Sequence, residues 1–406
     1  MIFAMSATSD PFGLGTTAVR DDPYPIYARL RREAPVHFSE AWGAFVVTRY
    51  ADVVAGFRDP RLSASRAGAI GRDLPAEVRK QLEPLVQNLS CWALLLDPPD
   101  HTRLRALVSK AFSPRLTEQL RPRIESLVNE LLDRAEGPEV DLIEAIANPL
   151  PVTVIGDMLG LPRSDAGKLK LWSDSLAAFF GGALTRETVG QAVVGIVEME
   201  AYFRGALAER RRAPRGDLLS ALLAAEEGGS ILSEQELLST AAMILFGGHE
   251  TTTNLVGNAI HHLSMDRDQR ERLLSSNDHV ETAVEEILRF ESPVQRMGRL
   301  AKDDLTIAGV KIDKGARVYL VMGSANRDEA QFPGADRLDV TRRDNKHLGL
   351  GFGLHYCVGA ALGRLEAQVA IPAILRRWPG AQRIDERPQW HDNLSIRGLR
   401  GLRLRV

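Results

Sequence analysis

A single long helical segment near the middle of the chain most constrains how the protein can fold. Ser233 and Glu236 match the Ser-x-x-Glu capping box that marks the start of a helix. Apolar residues then recur at helical spacing to about Leu263. A helix of about 30 residues is roughly 45 Å long, well beyond the usual length in globular proteins. It must cross the middle of a large domain, which is therefore expected to be mainly helical.

The centre of this helix consists of residues that disfavour helix. Gly247 and Gly248 each cost about 1 kcal/mol relative to alanine, and the β-branched run that begins at Thr251 adds crowding. The acidic Glu250 lies in the same turn. Two interpretations are open from these residues alone. One is a distorted core helix with a solvated Glu face, and the other is a widened turn that admits a ligand or water beside an acid–alcohol pair.

Most of the remaining chain also shows helical spacing. Helices are predicted at residues 24–30, 104–112, 116–132, 140–158, 193–207, 280–290 and 360–378. Strands or hairpins are predicted at residues 41–50, 305–312, 318–322 and 398–406. No repeat or low-complexity linker interrupts the pattern. The predicted organisation is an N-terminal tail, residues 1–22, followed by one mainly α domain with a small β region, residues 23–406.

Composition and charge exclude several classes of protein. The chain has 51 basic and 53 acidic residues and a net charge of -2, which argues against a dedicated nucleic-acid or anionic-membrane binder. Its two cysteines are too few for a disulfide framework or a four-cysteine zinc site. The N-terminus lacks the charged region and apolar run of a secretory signal. His249 and Glu250 interrupt the most apolar stretch, so no membrane span is predicted. A cytoplasmic protein is expected.

Cys357 lies in the most informative segment of the chain, HLGLGFGLHYCVGAALGRLEA. The glycines around it allow tight turns and close approach to a bulky ligand. Helical spacing resumes at Ala360, so the thiol precedes a helix N-terminus, which stabilises a thiolate. Such a thiolate can be a nucleophile, with His355 as a conceivable partner, or a soft metal ligand. The alternative is a buried structural cysteine.

This segment resembles the haem-binding loop of the cytochrome P-450 family, F-G-x-G-x-H-x-C-x-G. The sequence L-G-F-G-L-H-Y-C-V-G at residues 350–359 departs from it at Leu350, where the family usually has Phe. The sequence G-G-H-E-T-T at 247–252 is similar to the oxygen-binding motif of the family's long I helix. E-I-L-R at 286–289 matches its E-x-x-R motif, and D-P-P-D-H-T-R-L-R at 97–105 looks like the bacterial C-helix motif. The chain is identified as a member of this family, similar to its soluble bacterial forms.

The resemblance implies the cytochrome P-450 fold, a triangular-prism helical domain with haem b between the I helix and the L helix. It implies Cys357 as the axial thiolate ligand of the haem iron. Glu250 and Thr251 would be the catalytic acid–alcohol pair that relays protons. The implied propionate-binding residues are His101, Arg105, Arg299 and His355. The implied structural network that supports the haem loop consists of Glu286, Arg289 and Arg337.

The resemblance further implies a monooxygenase that uses O2 to hydroxylate or epoxidise a hydrophobic small molecule, in the class of terpenoids, steroids, fatty acids or polyketides. The implied pocket residues are Leu94, Met243, Phe246, Gly247, Val294, Met297, Leu394 and Ile396. Because the chain ends shortly after Cys357, electrons are expected from a separate ferredoxin-type donor. A basic docking face for an acidic partner or an ordinary solvated face would comprise Arg103, Lys110, Arg115, Arg342, Arg343, Arg364 and Arg377. A monomer is expected.

Three other functions compete with this one. A peroxide-driven peroxygenase of the same fold usually lacks the acid–alcohol pair, so Glu250 and Thr251 speak against it. A non-catalytic haem module that binds ligands would show no turnover with any redox partner. A cysteine hydrolase would show no haem colour.

Overall fold

Helices dominate the chain. The computed structural model describes residues 10–71, 75–112, 117–182, 185–227 and 230–406 and is 57% helical, which confirms the predicted mainly α class. In chain order the helices are α1 (Ala18–Asp21), α2 (Tyr24–Glu33), α3 (Tyr50–Arg58), α4 (Ala76–Leu89), α5 (Asp100–Ala111), α6 (Arg121–Arg134), α7 (Pro149–Leu159), α8 (Ala166–Gly181), α9 (Arg186–Arg212), α10 (Leu218–Ala224), α11 (Glu234–Met265), α12 (Arg267–Ser275), α13 (Asn277–Phe290), α14 (Met322–Ala325) and α15 (Ala360–Arg377).

The β structure is small and consists of short strands. These are β1 (Val36–Ser39), β2 (Ala44–Val47), β3 (Leu62–Ser63), β4 (Glu139–Asp141), β5 (Glu226–Glu227), β6 (Ser230–Ile231), β7 (Met297–Ala301), β8 (Leu305–Ile307), β9 (Val310–Ile312), β10 (Arg317–Leu320), β11 (Gln382–Arg383) and β12 (Arg403–Arg405). Five strands form a sheet in the order β1-β2-β10-β7-β3, and three form another in the order β11-β12-β4. The others pair as the hairpins β5–β6 and β8–β9.

The chain divides into two compact units. The first unit comprises Met1–Leu62, Pro122–Ala147 and Thr251–Val406, and the second comprises Ser63–Arg121 and Asn148–Glu250. Helix α11 contributes to both, because the division falls between Glu250 and Thr251. The single domain spanning residues 23–406 stays a prediction.

The long helix α11 begins where its capping box predicts. The Ser233 hydroxyl accepts from the Glu236 N–H at 3.3 Å, and the Glu236 carboxylate accepts from the Ser233 N–H at 2.8 Å. These two bonds satisfy N–H groups that the first turn leaves without helical partners. Every residue from Glu234 to Met265 is α-helical, so the widened turn considered from the sequence is not observed.

The five-stranded sheet of the first unit carries apolar residues on both faces. Val318 and Leu320 of β10 belong to the apolar cluster on one face of the sheet, while Tyr319 belongs to the apolar cluster on the other face. This alternation is the period-2 pattern of a strand, and it explains why the segment reads as a strand in the sequence.

Residues 10–22, expected as a tail, pack against this sheet. Leu14 and Val19 are buried in the same cluster as Trp42, and the Trp42 indole N–H donates to the Leu14 carbonyl at 2.9 Å. Their few apolar residues lack a period, so only the folded structure shows that they are part of the core.

One predicted segment is divided in the structure. Residues 140–158, predicted as one helix, form β4, then a π-helical turn at Ile143–Ala147, and then α7. Residues 305–312, for which a strand or hairpin is predicted, form the hairpin β8–β9, in which Ala308 and Gly309 take left-handed φ values of 46° and 81°. Among the helices of the described ranges, none has the apolar length that a membrane span requires.

Candidate active site

The segment around Cys357 forms a tightly turned loop. Gly351 and Gly353 have φ values of 77° and 66°, which favour glycine. The Cys357 N–H donates to the Leu350 carbonyl at 2.9 Å, and the side chain of Cys357 is exposed. The loop ends at α15, which begins at Ala360. Cys357 is therefore not a buried structural cysteine but is presented at the surface of the first unit beside a helix N-terminus.

Helix α13 holds the loop on its N-terminal side. The Leu348 N–H donates to the Asn326 side-chain oxygen at 2.7 Å, and Arg289 donates to the Asn326 carbonyl at 2.9 Å. A Cβ added at Gly349 would lie 2.3 Å from the Leu288 carbonyl oxygen. Only glycine allows the loop to approach the helix so closely.

Helix α13 also holds the loop on its C-terminal side, through Glu285. The Glu285 carboxylate accepts from Arg364 at 2.6 and 2.7 Å and lies 3.0 Å from the His347 imidazole. Arg364 donates in addition to the Tyr356 hydroxyl at 2.9 Å. Burial would raise the pKa of Glu285, but the hydrogen bonds from Arg364 and His347 lower it to about 2. The carboxylate therefore stays charged and bridges both ends of the loop.

The predicted network of Glu286, Arg289 and Arg337 needs one correction. Glu286 and Arg289 form a fully buried, bidentate ion pair at 2.7 and 2.8 Å. Arg337 contributes its main-chain carbonyl, 3.0 Å from an Arg289 nitrogen, while its side chain is exposed. The second guanidinium at the carboxylate belongs to Arg342, at 3.1 Å. The motif-based assignment found the right segment but the wrong arginine, because spacing does not show which side chain turns inward.

The aromatic ring of Phe57 connects Arg299 to the loop, and the sequence analysis did not predict this residue. Arg299 is buried on β7, and its guanidinium lies 5.2 Å from the Phe57 ring centroid. The Phe57 ring lies 6.5 Å from the ring of Phe352 in the loop, and Arg58 lies over that same ring at 5.0 Å. No motif marks Phe57, since its role depends on a contact between distant parts of the chain. His355, at the other end of this loop, is half-buried.

His101 and Arg105 lie one turn apart on α5 in the second unit. His101 is buried and Arg105 is half-buried. Burial, and then the positive charge of Arg105, lower the pKa of His101. The imidazole is therefore neutral at physiological pH and can donate one hydrogen bond without adding charge.

The two glycines at the centre of α11 have different roles. A Cβ at Gly248 would lie 3.0 Å from the Ile155 side chain, so this glycine allows close packing on α7. Gly247 is exposed, and apart from its own chain neighbours and the adjacent helix backbone no described atom lies within 4 Å of the Cβ that an alanine would add there. Open space beside the middle of a long helix is the feature expected of a ligand site.

A second acidic side chain, that of Asp174, lies close to Glu250, and the sequence analysis did not predict it. Burial, and then a hydrogen bond with Asp174 of α8, raise the pKa of Glu250 to about 8. Asp174 also pairs with Lys170 at 2.5 Å, and both of these side chains are 37% exposed. The protonated Glu250 is thus linked to partly exposed groups. Asp174 and Lys170 form an i, i+4 pair that sequence alone cannot distinguish from a surface ion pair.

Comparison with known proteins agrees with these features. Residues 176–380 match the family profile described as Cytochrome P450. The chain is 40% identical to Cytochrome P450 107B1 of Saccharopolyspora erythraea, over 96% of each protein. It is 36% identical to Cytochrome P450 monooxygenase PikC of Streptomyces venezuelae, over 95% of this chain and 91% of that protein. The crystal structure of P450BioI in complex with an acyl carrier protein ligated to hexadec-9Z-enoic acid has a TM-score of 0.89 and 35% identity, covering 96% of this chain and 99% of that one.

The chain belongs to the cytochrome P450 family. Its fold is the cytochrome P450 fold, its cofactor is haem b, and it is an oxidoreductase of the monooxygenase class. These findings confirm the fold, cofactor and enzyme class predicted from the motifs. The roles of the individual site residues stay predictions.

In this P450 the second half of α11 packs on the helix that follows Cys357. A Cβ at Gly363 of α15 would lie 3.5 Å from the Thr252 hydroxyl. Burial raises the pKa of Glu366 to about 8, although a hydrogen bond with Thr252 lowers it. Thr251 precedes this contact and is half-buried. The first unit therefore places the threonine of the acid–alcohol pair on a helix that contacts the cysteine-bearing segment.

The predicted pocket residues of the P450 fall into two sets. In the first unit, Val294 and Met297 belong to the same apolar cluster as the loop residue Phe352. Val294 also pairs with Ile396 in an isolated bridge, and Leu394 belongs to the apolar cluster that contains Trp42. The second set, which includes Gly247, lies in the second unit.

In the second unit, Phe246 lies at the centre of an aromatic group. Its ring is 5.5 Å from that of Trp92 and 5.2 Å from that of Phe180. Leu94 and Met243 are half-buried. The predictions missed Trp92 and Phe180, although aromatic residues are enriched at apolar binding sites.

Proposed function

We propose that this P450 inserts one oxygen atom from O2 into a hydrophobic small molecule, with the Cys357 thiolate holding the iron of its haem and with electrons from a separate ferredoxin-type donor. The observation that carries the proposal is the exposed thiol of Cys357 on a loop held at both ends by α13. When bound, the haem supplies the activation of oxygen, and a thiolate ligand favours cleavage of the O–O bond.

The described residues fit a haem. The thiol is a soft ligand for iron, the adjacent helix N-terminus favours its thiolate form, and the glycines leave room for a flat macrocycle. Arg299 and Arg105 would each offer a cationic donor to a propionate carboxylate. His101 and His355 would complete this set through their ring N–H groups.

Glu250 and Thr251 would manage the protons that oxygen reduction consumes. The Glu250 carboxyl holds a proton near neutral pH because its pKa is raised to about 8, and its partner Asp174 is partly exposed. Protons can therefore pass from solvent to Asp174 and on to the Glu250 carboxyl, while the Thr251 hydroxyl holds water at the reacting site. This pair favours a monooxygenase over a peroxygenase.

An apolar substrate is supported by the residues around Gly247. The rings of Trp92, Phe180 and Phe246 are mutually within 5.6 Å, and the space beside Gly247 is open. P450BioI, a structural relative, was solved with an acyl carrier protein that bears a fatty acyl chain. A fatty acyl chain, steroid, terpenoid or polyketide has the required apolar surface.

Four arginines of the basic face considered for an electron donor already pair with acidic side chains of the same chain. Arg103 pairs with Glu236, Arg342 with Glu286, Arg364 with Glu285 and Arg377 with Asp133. Arg115 lies outside the described residues. A separate electron donor is therefore proposed because the reaction consumes electrons, and not because of these basic residues. A cytoplasmic, monomeric protein stays a prediction.

Reduction and treatment with carbon monoxide test the proposal directly. A strongly red-shifted Soret band is expected for the wild type, and Cys357→Ser is expected to abolish the band, because an alcohol does not replace the thiolate. Cys91→Ser is the matched control and should keep the band. A band that survives in Cys357→Ser would refute the assignment. A spectral-shift screen with fatty acyl, steroid and terpenoid compounds would then identify the substrate class.

A further inference from the structure

We propose that Asp174, His249 and Glu250, here called the Asp–His–Glu cluster, form a binding site for a divalent transition-metal ion such as Zn²⁺. The cluster lies within the second unit, where α8 supplies Asp174 and α11 supplies His249 and Glu250. One imidazole with two carboxylates is a ligand set that suits zinc and its neighbours in the first transition row.

The geometry of the cluster is close to that of a metal centre. One ligand atom from each of the three residues lies within 4.8 Å of the other two. The centre of a triangle with 4.8 Å sides is about 2.8 Å from each corner, and zinc bonds to N and O ligands are about 2.0–2.2 Å long. Each ligand atom therefore needs to move by less than about 1 Å, which small side-chain rotations supply.

The state of His249 points independently to a ligand. The residue is 0% exposed, and neither ring nitrogen has a hydrogen-bond partner among the described residues. Buried polar atoms are rarely left unsatisfied. Two other imidazoles show the usual arrangement with a carboxylate partner, since His262 lies 2.9 Å from Glu291 and His347 lies 3.0 Å from Glu285. A metal ion in the cluster would give His249 the partner it lacks, since its Nδ1 lies 3.9 Å from a Glu250 oxygen.

Charge both favours and opposes an ion in this cluster. Oxygen atoms of the Asp174 and Glu250 carboxyl groups lie within 4.8 Å of each other, and a divalent ion between them would offset the repulsion of two carboxylates. Lys170 opposes binding, because its ammonium lies 2.5 Å from an Asp174 oxygen. That side chain is 37% exposed and can turn into solvent when the ion binds. Removing the Lys170 charge should therefore tighten binding.

Occupancy would inhibit the enzyme. A metal ion bound to Glu250 would prevent this carboxyl from passing protons, so product formation should fall as the ion binds. This consequence rests on the proposed function, whereas binding of the ion does not.

The test is equilibrium dialysis of the haem-loaded, 406-residue chain against Zn²⁺, followed by metal analysis. Wild type is expected to bind one ion at this site. Asp174→Ala and His249→Ala should each weaken binding about 100-fold or more, since even partners outside the ligand shell cost 10–100-fold. Lys170→Met should tighten it about fivefold, the upper range for a partly exposed ion pair. His391→Ala, which removes an exposed imidazole, should leave it unchanged.

Unchanged zinc binding in Asp174→Ala, or weaker binding in Lys170→Met, would overturn the inference, as would no binding by the wild type. If the buried His249→Ala variant fails to fold, the partly exposed Asp174 and Lys170 variants decide the outcome. The carbon monoxide spectrum separates the two proposals. A normal red-shifted band without zinc binding defeats only the metal site, and zinc binding without that band defeats only the haem-thiolate function.

Discussion

Arg289→Leu is the sharpest test of how the structure holds the Cys357 loop. Arg289 is fully buried, binds both oxygens of Glu286 and donates to three main-chain carbonyls. One of these carbonyls belongs to Asn326, whose side chain accepts from the Leu348 N–H of the loop. The substitution therefore removes both a buried charge partner and a support of the site.

The size of the effect follows from burial. Removing one partner of a buried ion pair costs about 3–5 kcal/mol. Glu286 would keep Arg342 at 3.1 Å and Asn345 at 3.1 Å, so about 3 kcal/mol is expected, at the lower end of that range. This is a large share of the roughly 5–15 kcal/mol that stabilises a typical protein.

Urea unfolding of the haem-loaded protein, followed by circular dichroism and by haem absorbance, measures this cost. With a slope of about 3 kcal/mol per M, the midpoint should fall by about 1 M. Haem absorbance should be lost before helicity, because the loop depends on Asn326. Arg267→Leu is the matched control, since Arg267 pairs with Glu271 at 2.6 Å but the two side chains are 78% and 60% exposed. No measurable shift is expected there. Equal shifts in the two variants would refute the argument that burial determines the cost.

Three further predictions follow from the site. Gly349→Ala should weaken haem retention, measured by transfer of haem to apomyoglobin, because its Cβ would lie 2.3 Å from the Leu288 carbonyl; an unchanged transfer rate would contradict the close approach. Glu366→Gln should flatten the dependence of stability on pH. Burial raises the pKa of Glu366 from 4.5 to about 8, so its stabilising effect is complete below pH 4.5 and is lost as the pH rises through 8; denaturation midpoints at pH 6 and pH 9 that differ equally in both proteins would exclude this. Thr251→Ala should leave haem bound but divert electrons to hydrogen peroxide, and an unchanged ratio of product to electrons consumed would argue against its role in proton transfer.

Short sequence patterns predicted the structure correctly where the interacting groups lie within a few residues of one another. The capping box at Ser233 and Glu236 predicted the start of α11 because both partners lie within one turn. The glycines at 351 and 353 predicted a tight loop because their left-handed φ values are a property of single residues. The motif around Cys357 predicted the family, and through the family the haem and the fold.

The long helix, the cysteine loop and the chemistry that they serve are therefore predictable from local pattern and motif. The distant side chains that complete them are known only from the folded chain: Arg342 instead of Arg337 at Glu286, Phe57 beside Arg299, and Asp174 beside Glu250. Helical or strand periodicity reports which face of an element is apolar, but not which element packs against that face. The partner of a buried charge comes from a distant part of the chain and depends on how the helices and strands pack. It can therefore be identified only in the folded structure.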